Sequence, residues 1–123
     1  MTATHRIDID SPEVDMDEAQ RLLYQGDLFT GEAAEYMAGK LVSLDHYTDG
    51  VQDGLSQEWY PDGTLRSEGR LREGLPCGEF KEWYANGVLA SRKVFGDDGL
   101  TLLEELKWDE NGQPTRSWRL SNG

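Results

Sequence analysis

Apolar and polar residues alternate with period two along most of this chain, and the alternation breaks on glycine at regular intervals. In Leu55-Ser56-Gln57-Glu58-Trp59-Tyr60 the odd-numbered side chains fall on one face of an extended strand and the even-numbered on the other. Aromatic residues therefore occur on both faces. Two such runs flank each of the tripeptides Pro61-Asp62-Gly63, Ala85-Asn86-Gly87 and Glu110-Asn111-Gly112, where glycine accepts positive φ and Asp or Asn tolerates the bend, so each unit predicts a β-hairpin. A second glycine column, Gly26, Gly50, Gly74 and Gly99, marks where one hairpin hands over to the next.

The hairpins are copies of one unit. Trp59-Tyr60 recurs as Trp83-Tyr84, Gly63 as Gly87 and Leu65 as Leu89, each 24 positions on. The same step backwards finds Tyr36, Gly39 and Leu41, so a more diverged unit starts by about Gly31. Forwards the step becomes 25 because Gly96-Asp97-Asp98-Gly99 carries one extra residue, and a last unit closes with Trp108, Gly112 and Leu120. Its Pro114 stands where the other units have leucine, which suits an edge strand in a terminal repeat. Stacked supersecondary units are the meaning of such a period. The predicted fold is all-β: a single-layer twisted antiparallel meander of about eight strands in repeated hairpins, over residues 28–123.

Residues 1–27 form an acidic segment leading into the sheet. Ile7 and Ile9 alternate with charged neighbours and suit a short strand, and Ser11-Pro12 ends it. The stretch Val14–Gly26 fits two descriptions: a short helix capped by Asp15 or Asp17, or, by the repeat step, a strand over Leu22–Gly26.

Composition narrows the function. A length of 123 residues allows one domain, and a 37% hydrophobic content suits a thin sheet wetted on at least one face. The net charge of −12 sets the chain against nucleic acid and anionic lipid and favours a basic protein partner, although acidity also serves solubility. Residues 1–53 carry three basic side chains against twelve acidic ones, while the remaining residues carry nine against twelve. Asp8, Asp10, Glu13, Asp15, Asp17, Glu18 and Asp27 are thus candidate partner contacts, or else a solvated surface. Tyr36, Trp59, Tyr60, Trp83 and Tyr84 form ladders at the repeat spacing and are either exposed hot spots or sheet packing.

Chemistry is not expected. Asp8-Ile9-Asp10 is followed by Pro12 and Glu13 where a calcium loop needs a ligand and a glycine, and His5, His46 and Cys77 are too scattered for zinc. Glu58 and Glu82 recur because the unit recurs, and Asp45-His46 suits a surface strand. No cofactor, metal or catalytic residue is predicted. Cys77 stands alone and the first ten residues lack a basic, then apolar, leader, so the expected location is cytoplasmic.

Gly54, Trp59-Tyr60, Asp62-Gly63 and Gly74, and again Gly78, Trp83-Tyr84, Asn86-Gly87 and Gly99, resemble MORN repeats in their variant bacterial form, as in the YwqK-type antitoxin family. Phe29-Thr30-Gly31 resembles the phrase with which such arrays begin. The resemblance covers about residues 28–120. It implies an antitoxin or immunity protein that neutralises a protein toxin by binding it, or a MORN-like scaffold for protein assembly or peripheral membrane attachment.

Overall fold

The structure is a computed structural model and describes residues 5–121. Twelve strands are assigned among them: β1 Arg6–Asp8, β2 Val14–Met16, β3 Leu22–Tyr24, β4 Asp27–Leu28, β5 Gly31–Met37, β6 Lys40–Thr48, β7 Val51–Trp59, β8 Leu65–Arg72, β9 Leu75–Trp83, β10 Leu89–Phe95, β11 Leu102–Trp108 and β12 Pro114–Arg119. Strands β5 to β12 run in chain order as one open antiparallel sheet, which is the predicted eight-strand meander.

The turns form as the glycine columns require. At three of the four handovers, those ending in Gly26, Gly50 and Gly74, the last two residues both have positive φ, for example Asp49 at 49° and Gly50 at 82°, and Thr48 pairs directly with Val51. This is the two-residue turn whose twist matches the flanking strands. Within the hairpins the Gly63 N–H donates to the Tyr60 carbonyl, and the Asp62 carboxylate accepts from the Thr64 N–H. Asn86 repeats that role for Val88. The extra residue near Gly99 is absorbed by a wider turn in which the Asp98 carboxylate accepts from the backbone of Leu100 and Thr101 and from the Thr101 hydroxyl.

The acidic segment departs from the meander. β1 joins the large sheet parallel to β5, with Ile7 opposite Ala33, and β2, β3 and β4 form a separate three-stranded sheet. Val14–Met16 and Leu22–Tyr24 are strands, so the helical description of this stretch is set aside. The small sheet covers a cluster of buried apolar residues, Ile7, Leu22, Phe29 and Ala33, flanked by Ile9, Val14, Tyr24 and Tyr47. Gly50 is the seam. Its N–H donates to the Phe29 carbonyl and its carbonyl accepts from the Leu22 N–H, and a Cβ there would lie 2.9 Å from both Arg21 and Leu28. The chain is therefore two-layered at its N-terminal end and single-layered beyond it.

Candidate protein-binding surface

The seven carboxylates of the first 27 residues divide into two groups. Asp8 accepts from the Asp10 N–H and Asp15 from the Met16 N–H. Asp17 accepts from the backbone of Ala19 and Arg21 and pairs with the Arg21 guanidinium at 2.8 Å, and the Arg21 N–H, first among these, holds its carboxyl below the usual range. Glu13 accepts the Tyr24 hydroxyl and the Gln25 amide, which lowers its carboxyl and raises the Tyr24 phenol. These four carboxylates fold the segment. Asp10, Glu18 and Asp27 are exposed, and their side chains have no hydrogen bond or ion pair among the described residues.

The aromatic columns also divide. The Tyr60 hydroxyl donates to the Trp83 carbonyl and the Tyr84 hydroxyl to the Trp108 carbonyl, each at 2.7 Å, so successive units are stitched together by the tyrosine of the aromatic pair. Arg66 lies over the Tyr60 ring at 5.7 Å. Trp59, Tyr60, Trp83 and Tyr84 are half-buried, whereas Tyr36, in the first unit, is exposed.

Sequence reasoning missed a third feature. Following directly paired residues across the sheet from β5 to β12 gives Glu35, Ser43, Glu58, Ser67, Glu82, Ser91, Lys107 and Arg116. Directly paired residues share a face. This row alternates carboxylate and hydroxyl over six strands and then turns basic. Asp45 lies on the same face, two residues along β6 from Ser43 and opposite Ser56. Serine hydroxyls bind its carboxylates: Ser43 and Ser56 donate to Asp45, and Ser67 donates to Glu58 at 3.0 Å. Among the described residues no cation pairs with Glu35, Asp45, Glu58 or Glu82. The signal was legible as the columns Ser43, Ser67, Ser91 and Glu58, Glu82 at the 24-residue step, but the register was needed to interleave them.

The opposite face at the C-terminal end is different. Arg92 bridges Glu79 on β9 and Glu104 on β11, and Arg119 on β12 reaches the same Glu104 at 2.9 Å. The Arg92 guanidinium, ahead of Lys81, holds the Glu79 carboxyl below its usual range. On the row's own face, Arg116 pairs with the buried Glu105 at 2.6 Å and Lys93 stands 3.8 Å away. Glu79, Glu104 and Glu105 are neutralised internally, and the carboxylates of the β5–β9 row are not.

A sequence family described as a MORN repeat variant matches residues 52–71 and 76–96. These segments are the hairpins β7–β8 and β9–β10, the regular centre of the array. No curated protein and no solved structure matches the chain. The match covers about a third of the chain, so the likeness rests on the repeat unit of these central hairpins. Among the described residues no helix is long and apolar enough to cross a membrane.

Proposed function

We propose that this chain is a non-enzymatic binding module for a basic protein surface, and specifically an antitoxin or immunity protein that neutralises a cytoplasmic toxin by covering it. The supporting observation is the row Glu35, Glu58 and Glu82 with Asp45, in which serine hydroxyls hold Asp45 and Glu58 and, among the described residues, no cation of the chain pairs with any of the four. A cleft built for phosphates carries the opposite charge, and such complementarity speeds encounter and selects the partner. Exposed Asp10, beside Ile9 and Tyr47, lines one shallow groove together with Glu35, Ser43 and Asp45, so the N-terminal acidic segment and the sheet row form one surface. No cofactor, metal or nucleic acid takes part.

The test is co-expression with the product of the adjoining gene. The proposal expects that product alone to arrest growth, the pair to grow, and the two chains to co-purify in a fixed ratio. Growth arrest without rescue, together with separate elution, counts against it. Flotation with vesicles of phosphatidylglycerol and phosphatidylcholine tests the scaffold at a membrane; the net charge of −12 predicts that the chain stays at the bottom.

A further inference from the structure

The row has a period as well as a charge. Successive strands lie about 4.8 Å apart, so Glu35, Glu58 and Glu82, each two strands from the next, stand roughly 9.6 Å apart in a line across the strands. Seven residues of an α-helix rise about 10.5 Å. A partner strand laid along the same line would offer one-face side chains only every 6.8 Å or so and would fall out of step at the second carboxylate. Helical positions three or four residues after each cation rise about 5 Å and sit over the intervening serines.

The far end of the row adds two observations. Ser91 is 9% exposed, and its hydroxyl has no hydrogen-bond partner among the described residues although it shares a face with Glu82 and Lys107. Among the described residues no buried side-chain polar atom lacks a partner, so this hydroxyl reaches solvent, and it stands where the row changes sign. Lys107 and Arg116 then follow at the end where a helix C-terminus would place its unpaired carbonyls.

We infer that the row is a docking track for an amphipathic α-helix of the partner protein, carrying Lys or Arg every seventh residue and lying across the strands with its N-terminus over Glu35 and its C-terminus over Lys107. This rests on the proposed recognition of a basic protein and specifies which element of that protein is held. The carboxylates take the heptad cations, Ser91 supplies the unused donor, and Lys107 and Arg116 meet the negative end of the helix dipole.

The probe is a helical alanine–glutamine peptide with a lysine at every seventh position, compared with an isomer of identical composition with lysine at every fifth. Fluorescence anisotropy should show the heptad peptide binding about 5-fold tighter or more, and the triple variant Glu35→Gln, Glu58→Gln, Glu82→Gln should abolish that preference while its melting curve shows a folded chain. The control Asp97→Asn, Glu110→Gln keeps it. A spin label on the peptide N-terminus should broaden amide signals of β5 and β6, and broadening of β11 and β12 instead overturns the orientation. Equal binding of the two isomers, or a preference retained by the triple variant, overturns the track. A homodimer that the triple variant dissolves overturns it in favour of a second copy. Toxin rescue retained by the triple variant sinks this inference and leaves the proposed function standing, whereas heptad preference without any rescue by the native chain does the reverse.

Discussion

The two ends of the molecule are held together by different physics. At the N-terminal end a second layer lets Ile7, Leu22, Phe29 and Ala33 leave water, and Leu22 is the one large side chain among the described residues that is fully buried. At the C-terminal end no second layer is found among the described residues, and every residue of β12 is exposed. There the strands are tied by Arg92, Arg116 and Arg119 to Glu79, Glu104 and Glu105 and by the tyrosine-to-carbonyl bonds. A repeat sheet can therefore end in a small core at one side and in a charge network at the other, and the carboxylates between them are left free of both.

The contrast breaks most visibly at the core. Leu22→Ala should cost about 2–5 kcal/mol in urea unfolding, because it leaves a cavity between two sheets that cannot close over it. Gly69→Ala should cost about 1–3 kcal/mol, since the new Cβ would stand 2.3 Å from the Phe80 ring that rests on Gly69. The Phe80→Ala background should remove most of that penalty, which separates the clash from any backbone effect. Tyr84→Phe should cost about 0.5–1.5 kcal/mol and raise hydrogen exchange in β11 and β12 without altering the amides of β3 and β5.

Acid acts on both ends. Folded-state pKa values of Glu13, Asp17, Glu79, Asp98 and Glu105 lie below their usual values, so the folded chain binds these protons less readily than the unfolded one. The stability they give is complete above the ordinary carboxylate range, near pH 4, and is lost as pH falls through the lower folded values. The melting temperature should drop on acidification below about pH 4, and Asp17→Asn with Asp98→Asn should reduce that drop.

The repeat was legible in the sequence because hairpin turns and strand alternation are local properties. Gly63, Gly87 and Gly112 bend as expected, and β5 starts at Gly31 where the first unit was placed. In the N-terminal segment the short strand at Ile7 was legible and the strand at Leu22 was one of two readings, but the parallel pairing of β1 with β5 and the separate small sheet were not, both being consequences of distant chain. The same holds for the partner surface. Asp17 and Glu13 read equally as partner contacts or solvated charge until their local acceptor roles are seen, and Tyr60 reads as hot spot or packing alike until its hydroxyl is found on the Trp83 carbonyl. Conversely, Glu58 and Glu82 read as mere echoes of the repeat until strand pairing lines them up with Glu35.

The central claim is that the row carboxylates serve recognition while the paired carboxylates serve the fold. Calorimetric melting at low salt of two triple glutamine variants tests it, one at Glu35, Glu58 and Glu82 and the other at Glu79, Glu104 and Glu105. Removing the row should leave the melting temperature unchanged or raise it by relieving repulsion, and removing the paired set should lower it. A row variant that melts as low as the paired-set variant would contradict the account.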